Sequence, residues 1–274
     1  MLGFIGVGSM GGALLRGVIE SGKVKAGDVV FSRRDETAGK ALAEELGAHY
    51  VRTNADVVRA VRDGIVILAV KPFQIASVLE EIKDAAASAR CVIVSVAAGT
   101  PIAALEAGLA PEQPIVRSMP NVASAIGAGM TAFCPNEHVN SDQLAAVETV
   151  LKTVGLTAQV AEKDFSAFSA IAGCSPAWTF TYIDALSRAA VAAGMYKSEA
   201  VRIAAQAVYG AAALALKSLD DGVRPLALVD TVTSPGGTTI AGLVAAERAG
   251  FSDATVQAVE AAVARDQAIA RGEA

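Results

Sequence analysis

The chain has 274 residues, 53% of them hydrophobic and only 5% aromatic, with a formal net charge of −5. That length holds one large or two medium domains with full-size cores. The acidic balance, with no basic cluster beyond Arg33-Arg34, excludes a nucleic-acid-binding surface. Cys91, Cys134 and Cys174 are too far apart for a metal-binding pair, and His49 and His138 stand isolated from them. A zinc site and a His-based nucleophilic centre are therefore not expected, and the cysteines read as reduced thiols.

The first strand is expected to begin at Leu2, leaving no room for a signal peptide. With no stretch of about 18 uncharged apolar residues, a membrane span is not expected either. The expected residence is cytoplasmic. The mean hydropathy of +0.45 is high for such a chain and predicts that apolar surface is covered by other subunits.

Residues 1–161 alternate short β-branched runs with helical stretches, the pattern of a largely parallel α/β sheet. Strands are expected at 2–7, 29–32, 49–51, 65–70, 91–96, 115–118, 130–134 and 157–160. Helices are expected at 11–21, 37–46, 55–62, 73–86 and 141–154. From residue 162 the strands stop, and helices are expected at about 165–193, 198–219, 236–249 and 253–271. The expected architecture is a Rossmann-type α/β domain, 1–161, followed by an all-α domain, 162–274, fit for dimerisation.

The first strand runs directly into Gly6-Val7-Gly8-Ser9-Met10-Gly11, a G-x-G-x-x-G run that opens a helix. In that context it is a dinucleotide-binding signal. Gly6 permits the tight turn, Gly8 lets a pyrophosphate reach the backbone, and Gly11 lets helix and strand pack closely. At the end of the second strand a nicotinamide dinucleotide without a 2′-phosphate calls for Asp or Glu. This chain has Ser32, Arg33 and Arg34 there, which suits a 2′-phosphate and favours NADPH over NADH, with NADH still possible. Ala69-Val70-Lys71-Pro72 and Ala97-Ala98 end two further strands at the same sheet edge and are expected to line the cofactor. Lys71 reads equally well as a cofactor or carboxylate contact and as a solvated edge residue.

Near the C-terminus, Asp230-Thr-Val-Thr-Ser-Pro-Gly-Gly-Thr-Thr-Ile240 reads as a helix start. Ser234 is the expected N-cap and Pro235 the first helical residue, with Gly236 and Gly237 inside the first turn. Two glycines there weaken a plain helix by roughly 0.8–1.0 kcal/mol each. They suit close approach of an anion to free backbone N–H groups, a carboxylate site followed by Thr238 and Thr239. An ordinary glycine-rich cap fits the same residues.

Several runs together resemble the Δ1-pyrroline-5-carboxylate reductases. They are Gly6-Val-Gly-Ser-Met-Gly11, Leu68-Ala-Val-Lys-Pro72, Val96-Ala-Ala-Gly99, Arg117-Ser-Met-Pro-Asn121, Gly173-Cys-Ser-Pro-Ala-Trp178 and Val232-Thr-Ser-Pro-Gly-Gly-Thr-Thr239. The resemblance spans essentially the whole chain. It implies reduction of L-1-pyrroline-5-carboxylate to L-proline by hydride from NAD(P)H, the last step of proline biosynthesis. It also implies a homodimer built by the helical domain and assembling further, commonly to a decamer. By resemblance, backbone N–H groups from Gly236, Gly237 and Thr238 hold the substrate carboxylate with help from Ser234. Thr239 places its hydroxyl near the ring nitrogen, and Asn54 touches the adenosine end of the cofactor.

Two departures stand beside these residues. The family pattern Gly-Ser-Gly-Pro-Ala-Tyr/Phe is here Gly173-Cys-Ser-Pro-Ala-Trp178, and Met-Pro-Asn-Thr-Pro-Ala is here Met119-Pro-Asn-Val-Ala-Ser124. They keep open a same-fold reductase of another cyclic imino acid. A non-catalytic NADP-binding regulatory protein is a more distant alternative, since the Ser-Pro-Gly-Gly loop is intact. A β-hydroxyacid dehydrogenase is disfavoured, because that chemistry needs a Lys on the helix after Gly173 and none stands between 173 and 193.

Overall fold

The computed structural model describes residues 1–271 and 273. They fall into two compact units, Met1–Gly173 joined by the stretch from Ala262 on, and Cys174–Ala261.

The first unit is built on eight strands: β1 (Leu2–Ile5), β2 (Val29–Ser32), β3 (His49–Val51), β4 (Ile65–Leu68), β5 (Val92–Ser95), β6 (Ile115–Met119), β7 (Gly129–Pro135) and β8 (Gly155–Gln159). They form one sheet in the order β3-β2-β1-β4-β5-β6-β7-β8. The first six strands pair in parallel. This is the order of a doubly wound dinucleotide-binding sheet, whose crevice opens between β1 and β4 where the winding reverses. β7 turns antiparallel to β6, and β8 is parallel to β7. The link between β6 and β7, residues 120–128, is too short for a helical crossover, so the chain folds straight back.

Helices cover both faces: α1 (Ser9–Glu20), α2 (Glu36–Leu46), α3 (Asn54–Ala60), α4 (Ile75–Ala89), α5 (Ile102–Ala107) and α6 (Ser141–Leu151). Every residue of β1, β2, β4 and β5 is buried. Their runs of Val, Ile, Leu and Phe follow from having helices on both sides. Alternation along the strands sorts the core into two layers. Leu2, Phe4, Ile65 and Ile67 meet Leu14, Leu15 and Val18 of α1 and Val147, Val150 and Leu151 of α6. Ile5, Val66 and Leu68 meet Val57 and Val58 of α3 and Val78, Leu79 and Ile82 of α4. In the second layer Cys91 is fully buried, and that burial pushes its thiol up to about 11.

One ion pair braces the far side of the sheet. Glu162 Oε1 accepts from Arg117 Nη1 of β6 at 2.9 Å and from the backbone N–H of Ile102, which opens α5, at 2.7 Å. The Arg117 guanidinium lies over the Phe165 ring, 4.3 Å from its centre. One carboxylate oxygen thus joins the middle of a strand, a helix start and the segment after β8.

The remaining helices are α7 (Phe165–Phe168), α8 (Ser175–Ala192), α9 (Lys197–Asp220), α10 (Pro225–Val232), α11 (Thr238–Arg248) and α12 (Phe251–Ala270). A π-helical turn, Ser169–Cys174, lies between α7 and α8. In the second unit α8 and α9 are neighbours. Lys197 Nζ bonds Asp184 Oδ1 at 2.8 Å and Ser187 Oγ at 2.6 Å. The hydrogen bond from Lys197 holds the Asp184 carboxyl below the usual range. Among the described residues of this unit only Ser187, Ala200 and Ala204 are buried. Large apolar side chains stand out from it, including Phe180 (63% exposed), Tyr209 (66%) and Leu226 (80%). By length and composition α9 is long and apolar enough to cross a membrane, although Arg202 lies within it.

Two helices go beyond what the sequence pattern predicts. α5 is only six residues long, too short for a period to declare itself, and begins after Pro101. α10 begins with Pro225 as its first helical residue, a favoured position, but its tail Asp230-Thr-Val232 resembles a loop by composition.

Replacing Glu162 by Ala would strand Arg117, whose side chain is 11% exposed, and leave the Ile102 N–H without its acceptor. A fully buried pair loses about 3–5 kcal/mol on such a change. Glu162 is about one-third exposed, so the expected loss is about 2 kcal/mol. Equilibrium denaturation of wild type and Glu162→Ala reads this as a lower midpoint at unchanged slope.

Candidate functional site

The carboxyl edge of the parallel strands gathers most of the residues expected at a dinucleotide. β1 ends at Ile5, and Gly6 follows at φ +87°, a backbone conformation that L side chains rarely adopt. A Cβ on Gly6 would lie 2.6 Å from Val70 Cγ1. At Gly11 a Cβ would lie 2.1 Å from the carbonyl oxygen of Gly6 and 2.9 Å from Ala69 Cβ. Only glycine lets the first turn of α1 press so closely on the end of β1. Gly8 is the N-cap of α1 and is exposed, with open space where a side chain would be. No side chain caps this helix, so its first N–H groups face the open cradle above Gly8. Ser9 is exposed, Met10 half-buried, and Val7 is folded into the core. These residues fit a pyrophosphate.

The neighbouring strand ends complete the edge. Ala69 N–H donates to the Ile5 carbonyl at 2.8 Å and Val96 N–H to the Leu68 carbonyl at 3.0 Å, extending the sheet register past the strands. Ala69 and Val70 are half-buried against Gly6. Lys71 and Pro72 are exposed, and the Lys71 ammonium has no partner among the described residues. Ala97 is buried and donates its N–H to Ser95 Oγ at 3.3 Å, while Ala98 is exposed.

At the end of β2, Ser32 is buried and donates its hydroxyl to Asn54 Oδ1 at 2.7 Å. Asn54 is the first residue of α3, whose N-cap Thr53 accepts from the Asp56 N–H at 3.1 Å. The Asn54 side chain and backbone N–H both donate to Glu81 of α4, at 2.7 and 3.1 Å. Arg33 is half-buried and Arg34 exposed, and neither guanidinium has a partner among the described residues. The two arginines are thus available to an anion. Glu81 is absent from the sequence-predicted site: it lies 27 positions beyond Asn54 on the middle of a helix, and no local motif marks it.

The second group of candidate residues belongs to the other unit and has a different geometry from the one expected. α11 begins at Thr238, not at Ser234, and its N-cap is Gly237. Ser234-Pro235-Gly236-Gly237 is a β-turn closed by Gly237 N–H to the Ser234 carbonyl at 3.0 Å, with Gly236 at φ +68°. Pro in the second place and a positive-φ glycine in the third is the type II pattern, which competes with and here displaces the helical reading of Ser-Pro. The glycines therefore lie before the helix. Ser234 Oγ stands where a Cβ on Gly237 would be only 2.4 Å away, so the hydroxyl sits over the N-cap glycine. Thr238 and Thr239 are exposed in the first turn, and no side chain caps it. The turn leaves free N–H groups and three hydroxyls together, an arrangement able to hold a carboxylate.

The two departures are also placed. Cys174 ends the π-helical turn as the N-cap of α8 and is half-buried. Val122 and Ala123 lie in a short 3-10 turn, Val122–Ile126, with Val122 56% exposed. Just before it, Asn121 accepts from the Met130 N–H at 3.2 Å and donates to the Ala172 carbonyl at 3.0 Å, bracing the β6–β7 link. Among the described residues no group of His, Cys, Asp and Glu could hold a metal ion.

Comparison with known proteins agrees with this geometry. Residues 162–269 match the family described as pyrroline-5-carboxylate reductase dimerisation, and residues 1–99 match NADP oxidoreductase coenzyme F420-dependent. A pyrroline-5-carboxylate reductase of Methanosarcina acetivorans is 37% identical over 270 residues, 98% of each chain. The solved pyrroline-5-carboxylate reductase of Coxiella burnetii superposes with a TM-score of 0.90 at 32% identity, covering 97% of both chains. That of Plasmodium falciparum, determined with NADP bound, superposes with a TM-score of 0.85 at 30% identity over 98% of this chain and 97% of its own. From its first strand to its last helix, the chain belongs to the pyrroline-5-carboxylate reductase family.

Proposed function

We propose that this protein reduces L-1-pyrroline-5-carboxylate to L-proline with NADPH, the closing step of proline biosynthesis. The observation that carries the reading is the uncapped start of α11 behind the Ser234–Gly237 turn. It offers free N–H groups and hydroxyls for one carboxylate in a chain of this family.

Gly6, Gly8 and Gly11, with Val7, Ser9 and Met10 between them, would cradle the pyrophosphate. Ser32, Arg33 and Asn54 would meet the adenosine ribose and its phosphate, and Ala69, Val70, Lys71, Pro72, Ala97 and Ala98 would line the remainder. When bound, the dihydronicotinamide supplies a hydride to the C=N carbon of the substrate. The chain's own work is to bind and orient. The Thr238 N–H and the N–H groups that follow it in the first turn, with Gly236 and Gly237 shaping the turn and Ser234 over it, would fix the substrate carboxylate. Thr239 would set its hydroxyl at the ring nitrogen. A protonated imine is already electrophilic, and a Thr hydroxyl is too weak an acid to drive proton transfer, so the contribution of Thr239 is orientation.

We propose further that residues 162–274 form the dimerising half of a homo-oligomer in the cytoplasm. Support comes from the dimerisation family match and from the exposed Phe180, Tyr209, Leu214, Leu216 and Leu226, which a second copy would cover. Assembly of dimers to a decamer extends that reading.

Oxidation of NADPH by the purified protein should depend on L-1-pyrroline-5-carboxylate and yield proline. Folded protein that binds NADPH but leaves this substrate untouched would point to another cyclic imine, with the Cys174-Ser175 and Val122-Ala123 positions as the cause. Thr239→Ala should lower kcat about tenfold, the loss of one oriented hydrogen bond, with NADPH affinity unchanged. Equal kcat in that variant would remove Thr239 from the site. Sedimentation of the native protein should give a multiple of the chain mass in the soluble fraction, whereas recovery with membranes would reassign α9.

A further inference from the structure

The adenosine end of the site holds two opposed electrostatic features. Arg33 and Arg34 are cations without partners among the described residues, which favours a 2′-phosphate. Glu81 works the other way. Its Oε2 accepts from Asn54 Nδ2 at 2.7 Å and its Oε1 from the Asn54 backbone N–H at 3.1 Å. A carboxylate accepts and cannot donate, so it fixes the Asn54 amide with nitrogen towards α4 and oxygen towards Ser32. Ser32 then donates its proton to Asn54 Oδ1 at 2.7 Å and keeps only lone pairs to offer. The chain Glu81–Asn54–Ser32 is therefore polarised in one sense. Two donors that a phosphate oxygen would use are held by an internal carboxylate, and the hydroxyl at the end of β2 is left an acceptor. A ribose 2′-hydroxyl, which can donate, suits that polarity. A 2′-phosphate, which only accepts at neutral pH once ionised, does not.

We infer that Glu81 is a specificity-determining residue for the cofactor: by occupying two of the three Asn54 N–H donors, its backbone N–H and one amide N–H, and setting its charge beside them, it opposes the 2′-phosphate and keeps NADH usable despite Arg33 and Arg34. This rests on the proposed placement of the adenosine ribose at Ser32 and Asn54.

Glu81→Gln tests it. The substitution removes the charge and brings in an amide that can donate to Asn54 Oδ1, freeing the Asn54 amide to turn and the Ser32 proton to face the ligand. Glu81 is exposed on α4, so the substitution leaves the core intact. The ratio of kcat/KM for NADPH to that for NADH should rise about threefold to tenfold, through KM for NADPH, as fits an exposed charge partly screened by water. The ratio in the variant should also fall with ionic strength more steeply than in wild type, because Glu81 no longer offsets the two arginines, a readout that a purely structural brace would not move. An unchanged ratio, or equal increases in both KM values, overturns the role of Glu81. Arg33→Ala separates this from the underlying reading. If it lowers the ratio while Glu81→Gln leaves it alone, the ribose is where proposed and Glu81 is not its selector. If neither substitution changes the ratio, the ribose does not lie at this edge and both fall.

Discussion

The contact on which the candidate cofactor site depends is a backbone approach of α1 to the end of β1. Gly11 stands so near the Gly6 carbonyl that a single methyl group would meet it at 2.1 Å. With that gap closed, the axis of α1 points its uncapped N-terminus along the switch point between β1 and β4. The positive-φ turn at Gly6 and the bare Cα of Gly8 then form the floor of a cradle. A wider separation would carry the helix end away from the ligand and would also loosen Leu14, Leu15 and Val18 from the sheet. Stability and binding thus share one steric condition, which makes the glycine run more than a loop signature.

Much of this is legible in the sequence because strong local rules and tertiary demands agree there. The sequence pattern predicts eight strands and eight are present among the described residues, since β1, β2, β4 and β5 are apolar on both faces and could hardly be anything else. The direction of β7 is not legible: strand pattern carries no sense, and only the length of the 120–128 link sets it. Near Ser234 two local rules conflict. Ser-Pro fits a helix start, Pro-Gly fits a type II turn, and the positive φ of Gly236 shows the turn prevailing. The consequence is chemical as well as geometric, because the free N–H groups move along the chain, from those after Ser234 to those from Thr238 on, Gly237 N–H being held by the Ser234 carbonyl.

Long-range polar partners are the part that no pattern could supply. Glu162 holding Arg117 and Ile102, and Glu81 holding Asn54, join positions that are 45, 60 and 27 residues apart. Each carboxylate looks like ordinary helix or turn surface in the sequence. Each is defined by what the fold brings to it: a largely buried guanidinium in one case, an amide with a fixed sense in the other. Charge placed by topology, then, modifies a site whose floor is placed by glycine.

The scarcity of buried residues between Cys174 and Ala261 carries a thermodynamic consequence. Only Ser187, Ala200 and Ala204 are closed off within one chain there, among the described residues. Such a segment gains little from folding alone, because the ordering of its helices is set against almost no apolar burial. If a second copy provides that burial, folding and association become one second-order event. The melting temperature would then climb with protein concentration. Dilution alone could unfold the helical half while the sheet, with its two closed layers, stayed intact.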